Sequence, residues 1–151
     1  ITKNEIKKLA LYSNGEKINY TNILDAIGDN SLITLNELTD SIGIENKVKI
    51  NYLYEKTLNL RLNYIVFLKS ISRHLRILLE AKSNNLKNAK DIKPLIHFTR
   101  HTKINQQIKY ISIKQLRIYL IQIYKLELAC KTNYDIHQLL IKKFIAGLST
   151  Y

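Results

Sequence analysis

His97 and His101 stand four residues apart, the spacing that places two imidazoles on one face of a helix where they could share a metal ion. A zinc protease would carry Glu directly after the first of them, and Phe98 stands there instead. No Asp, Glu or Cys lies close enough in sequence to suggest a third ligand. Cys130 with a distant His74 or His137 would make a nucleophile and its base. A lone Cys on a helix also serves as a small buried apolar residue. A phosphate-cradling loop needs clustered glycines ahead of Lys and Ser or Thr. Gly15, Gly28, Gly43 and Gly147 are scattered, and each fits a helix end. The carboxylates are spread along the chain, mostly at caps or on polar faces, so acid–base pairs are poor candidates. Glu127 is the exception. It adjoins an apolar stripe, and either pairs with Arg73 or Arg76 across helices or reaches solvent from the helix edge. No cofactor is implied by any of these patterns.

Cations are the more abundant chemistry. The net charge is +12. Residues 1–81 carry 11 basic and 9 acidic side chains, whereas residues 82–151 carry 13 basic and only 3 acidic. Lys82, Lys87, Lys90, Arg100, Lys103 and Lys109 fall in an irregular stretch with few acids, which makes them candidate phosphate contacts. A surface this one-sided attracts nucleic acid or an acidic protein face. AT-rich codons supply an alternative origin, since Lys, Ile and Asn are all abundant. Only Phe98 and Tyr110 are interleaved with these cations, which disfavours a single-strand binder that stacks bases.

The elements that carry these groups read as helices throughout, an all-α bundle. One Pro and four Gly in 151 residues leave little material for a loop-rich or β-rich fold. Apolar residues at 46% are enough for a core. One Cys excludes an internal disulfide and suits the reducing cytoplasm. No apolar run reaches the roughly 20 residues that span a bilayer, and Lys69, Arg73 and Arg76 interrupt the longest. The chain begins at Ile1 without the n-region of a secretory signal, and its lack of Met suggests a piece of a longer or processed protein.

Along the chain, Thr2 and Glu5 form a capping box, with Ile6, Leu9 and Ala10 on one face and Asn14-Gly15 as the stop. Asn19 or Thr21 caps a short second helix with Ile23, Leu24 and Ile27 inward. Gly28-Asp29-Asn30-Ser31 marks a domain boundary, with one unit over 1–29 and another over 30–151. Leu35, Leu38 and Ile42 predict a helix stopped by Gly43. Asn46 caps the next, with Ile50, Leu53, Tyr54 and Leu58 inward, and Asn63 caps the longest. In that helix Leu68, Ile71, Leu75 and Leu78 form a stripe widened by Ile65, Phe67, Ile77 and Leu79, which predicts burial on more than one side. Ser83-Asn84-Asn85 breaks it, and Pro94 precedes a short helix within His97–Tyr110. Ser112 and Gln115 form a second capping box, for a helix with Leu116, Tyr119, Leu120, Ile123 and Leu126 inward. Asp135 with Gln138 opens the last helix, with Leu139, Leu140 and Phe144 inward and Gly147 at its end.

Five segments in this order resemble the C-terminal part of the delta subunits of bacterial DNA polymerase III clamp loaders. EIKKLALYSNGEKINYTNILDAIGD is similar to the last two helices of the family's lid domain. LNELTDSIGI resembles its first collar helix, and LRLNYIVFLKSISRHLRILLEAK its long central helix. KPLIHFTRHTKINQQIKYIS is similar to an irregular loop with Pro94 and Phe98 in place, and LRIYLIQIYKLELACKTN to the penultimate helix, through Leu116, Leu120, Glu127 and Lys131. Where the family carries Trp ahead of that helix, this chain has Tyr110 or Ile111.

The resemblance implies a DNA-replication protein of the cytoplasm that is not an enzyme itself but belongs to a nucleotidyltransferase assembly. Residues 1–29 would be the last helices of the lid domain, and 30–151 the collar that joins delta to delta-prime and tau/gamma in a heteropentamer. DNA would be met through the whole complex, the sliding clamp through an N-terminal domain lying outside this sequence, and no membrane would be involved. Tyr52, Tyr64, Tyr119 and Tyr124, with Arg73 and Arg76, are the candidate interface residues. Two other classes compete: a stand-alone basic helical nucleic-acid-binding domain, and a small helical enzyme using His97, His101 and Cys130.

Overall fold

The structure, a computed structural model, describes residues 30–59, 63–132 and 137–149. The expected lid helices, the boundary at Gly28-Asp29 and the Asp135 cap lie outside the described residues. Six α-helices follow one another: α1 (Asn30–Ser41), α2 (Lys47–Leu58), α3 (Tyr64–Ser83), α4 (His101–Tyr110), α5 (Ile113–Thr132) and α6 (His137–Ala146). Two single 3₁₀ turns, Ala89–Asp91 and Phe98–Arg100, lie between α3 and α4. No strand occurs among the described residues, and the fold is an all-α helical bundle.

The helix ends follow local chemistry. Asn46 Oδ1 accepts the Lys49 N–H at 2.9 Å, and Asn63 Oδ1 accepts the Ile65 N–H at 2.8 Å. At the start of α5, Gln115 N–H donates to Ser112 Oγ at 3.1 Å, and Ser112 N–H donates back to Gln115 Oε1 at 2.9 Å. Both halves of a capping box are thus present. Helix α3 ends in a Schellman motif. Asn85 takes the left-handed conformation, φ 55°. Its N–H reaches the Lys82 carbonyl at 3.1 Å, and the Leu86 N–H reaches the Ala81 carbonyl at 2.8 Å. Gly43, φ 69°, turns the chain after α1, and its N–H donates to the Leu148 carbonyl at 2.9 Å. A Cβ there would meet Ile111 Cδ1 at 2.7 Å, so three distant parts of the chain converge on a position that only Gly fits.

Helix α3 is the central element. Phe67, Leu68, Ile71, His74, Leu75, Leu78 and Ala81 are all buried along it. It packs most extensively on α5 and also meets α1 and α4, while α2 lies between α1 and α6. Leu35 and Leu38 from α1, Ile42 just after it, and Leu116, Ile123, Leu126 and Cys130 from α5 join it in one continuous core. Tyr54 and Phe67 meet there with ring centroids 5.7 Å apart. Burial, helped by Glu55, pushes the Tyr54 phenol up to about 12.

Two inward assignments need correction. Leu58 is 40% exposed, and Thr57 takes its place in the core, donating to the Leu53 carbonyl at 2.7 Å. A Thr can line a helix core when its hydroxyl bonds back to the preceding turn. Leu139 is 69% exposed, and α6 instead buries Ile141 and Ile145, with Leu148 just beyond. Leu140 and Phe144 do pack half-buried against the core, while the fully buried row, Ile141 and Ile145, lies one position further along a helix too short to fix its phase.

Candidate functional site

Two features stand apart from ordinary core packing: a buried polar network, and an apolar face left open. The network ties α1, α3 and α4 together. Gln107 is fully buried on α4. Its amide N–H groups donate to the carbonyls of Thr39 at 2.8 Å and Ile42 at 2.9 Å. That fixes the orientation of the amide, so its Oε1 faces His74 Nε2 at 2.9 Å and must accept from it. His74 therefore carries its proton on Nε2, and its Nδ1 is the acceptor that faces Arg100 Nη2 at 3.4 Å. Arg100 holds Asp40 through both of its carboxylate oxygens, at 2.8 and 2.6 Å. Burial holds His74 down to about 4. Asp40 opposes that shift, whereas the Arg100 guanidinium reinforces it. The imidazole is neutral at physiological pH, and every member of the network has a partner. Such an arrangement rigidifies a bundle and sets its helix register. It offers no free base to a substrate.

The other sequence candidates for chemistry are likewise occupied. His97 Nδ1 lies 2.8 Å from Thr99 Oγ1, and His101 Nε2 lies 2.9 Å from the Ile96 carbonyl. Among the described residues no group of three or more His, Cys, Asp or Glu is placed to hold a metal. Cys130 is buried, and burial pushes its thiol up, the opposite of what a nucleophile needs. Glu127 is half-buried on α5 and makes no ion pair with Arg73 or Arg76, both of which are exposed.

Helix α5 presents the open face. Its inner side buries Leu116, Ile123, Leu126 and Cys130. Ile118, Ile121, Tyr124 and Leu128 recur at spacings of three and four and are all exposed, so they share the opposite side. Lys114, Arg117 and Lys125 are exposed beside them, and Glu127 is the helix's sole acid. A helix apolar on two sides is one built to be buried on two sides.

The tyrosine candidates separate accordingly. Tyr124 belongs to this open face and is 65% exposed. Tyr52 is 60% exposed on α2, with Lys49 Nζ 5.6 Å from its ring centroid. Tyr64 and Tyr119, the other two interface candidates, are half-buried against the core, Tyr119 on the inward side that its helix pattern predicts. Tyr64 stacks on His137 at 5.0 Å between centroids. Ile118, Ile121 and Leu128 were not singled out by sequence. The signal was present, a second apolar row interleaved with the first between residues 118 and 128.

The basic candidates divide as well. Arg100 is committed to Asp40, and Lys103 pairs with Glu45. These pairs anchor the stretch to α1 and to the turn after it, with Lys103 remaining partly exposed beside Glu45. Lys82, Lys87 and Lys109 line one open groove, and Lys90 is exposed outside its lining. Among the described residues no helix is long and apolar enough to cross a membrane. No protein-family model, curated protein or solved structure matches the chain.

Proposed function

We propose that this chain is an assembly module, the collar region of a clamp-loader delta subunit, which joins delta-prime and tau/gamma in the complex that places the sliding clamp on DNA. It has no ATPase or clamp-opening activity of its own. The observation that carries this reading is the two-sided helix α5. Its inner row is spent in the core, while Ile118, Ile121, Tyr124 and Leu128 stand in water. These side chains are about half exposed, so docking against another subunit recovers about half of the roughly 1.5–3 kcal/mol that full burial of a large apolar side chain gives. The order of helices and breaks in the sequence, and the long central helix, support the same reading. Exposed Lys114, Arg117 and Lys125 predict a partner surface that is apolar at its centre and acidic at its rim.

The test is co-elution of the chain with delta-prime and tau/gamma from the same source. Ile121→Glu/Leu128→Glu places two charges within the apolar row at exposed positions outside the core. The wild-type chain is expected to co-elute and the variant to stay behind, folded. Failure of the wild-type chain to co-elute, or retention of the variant in the complex, would count against the proposal.

A further inference from the structure

A groove with a volume of about 650 Å³ opens between the end of α3 and the corner joining α4 to α5. Its polar lining consists of Lys82, Lys87 and Lys109 with Asn85, Asn88 and Asn105, and no carboxylate is among the lining residues. The Schellman turn at Asn85 bends the chain so that Lys82 and Lys87 reach the same space. Lys82 is held in place, since its Nζ donates to the Ile108 carbonyl in the last turn of α4. That bond uses one of its three N–H groups and leaves two for an incoming acceptor. Asn105 Oδ1 accepts the Ala89 N–H at 2.7 Å, so its acceptor is occupied while its amide keeps two donors. Lys87 and Lys109 are exposed. The groove is thus rich in donors and positive charge.

Its complement is a ligand of many acceptors and negative charge. An acidic protein segment would also need an apolar anchor point, but the apolar lining, Leu86, Ile108 and Ile113, is buried or half-buried. Single-stranded nucleic acid would need aromatic platforms, and the lining holds none. Tyr110, next to Lys109 in sequence but outside the lining, has Lys109 Nζ 5.3 Å from its ring centroid. We propose that this groove binds the phosphodiester backbone of duplex DNA without regard to base sequence, independently of whether α5 joins another subunit.

The experiment is fluorescence anisotropy of the chain with a short labelled duplex across salt. It compares Lys87→Ala/Lys109→Ala with Lys47→Ala/Lys69→Ala, which removes the same charge from exposed positions on α2 and α3. Each phosphate contact contributes about 0.9 to the slope of log affinity against log salt, so the groove variant is expected to lower the slope by about 1.8. The affinity lost between 50 and 200 mM salt then shrinks about tenfold. The control is expected to lower the slope by less than half as much. Equal slopes for the two variants would overturn the proposal, because net charge alone would then explain binding. Absence of salt-dependent binding by the wild-type chain would overturn it too. So would tighter binding to single strands, or displacement of the duplex by polyglutamate at equal charge concentration. Circular dichroism of both variants checks that they remain folded.

Discussion

Gln107 is the side chain through which three helices share one polar network, and Gln107→Leu isolates its contribution. Leu fills nearly the same space, so packing changes little and the polar terms dominate. Three hydrogen bonds disappear, to Thr39, Ile42 and His74. The Thr39 carbonyl keeps the Ile42 N–H at 3.3 Å. The Ile42 carbonyl and the His74 Nε2–H are left stranded beside buried apolar residues. An unsatisfied buried group costs about 1–3 kcal/mol, so the two together give about 2–6 kcal/mol. Domains have about 5–15 kcal/mol in total, and the variant should be folded but fragile. In urea its midpoint is expected to fall by about 2 M with an unchanged slope. The double variant with His74→Leu should lose less than the sum of the two single losses, because both remove one shared bond. A loss below about 1 kcal/mol, or strict additivity, would refute the claim that these bonds are buried and coupled.

Stability should also depend on acid through His74. Unfolded, the imidazole takes up a proton near pH 6.5, whereas folded it stays neutral down to about 4. Between those values the unfolded chain binds more protons, so its contribution is complete above pH 6.5 and is lost as pH falls toward 4, by about 3 kcal/mol. Denaturation from pH 8 to 4 should show His74→Leu to be less pH-dependent than the wild type; parallel curves would contradict this. Gly43→Ala places a Cβ 2.7 Å from Ile111 Cδ1 at a left-handed φ. It should cost about 2–4 kcal/mol, and an unchanged melting temperature would show that the turn relaxes. Cys130 should react with a thiol reagent only on unfolding, and rapid labelling of the native chain would contradict its burial.

Much of the fold is readable from local chemistry. Asn46, Asn63 and Ser112 with Gln115 act within three residues of themselves, so their caps can be placed without tertiary information. The row Leu68, Ile71, Leu75, Leu78 spans three turns of one helix, which fixes its phase. Helix α6 has ten residues, and so short a pattern leaves its phase open, hence Leu139 outside and Ile141 inside. The polar network has no local signature. Gln107 and Thr39 are 68 residues apart, and Arg100 and Asp40 are 60 apart. Only the packed bundle brings them together, and this also removes Arg100 from the set of free cations. Burial likewise decided between two readings of Cys130 that its residue type left open.

As proposed, this chain is one member of a ring of subunits, held through the outer face of α5. Native mass spectrometry of the chain mixed with delta-prime and tau/gamma from the same source tests it most directly. The expected result is a pentamer containing a single copy of this chain, lost on Ile121→Glu/Leu128→Glu. A chain that stays monomeric beside assembled partners, or a pentamer indifferent to that variant, would contradict it.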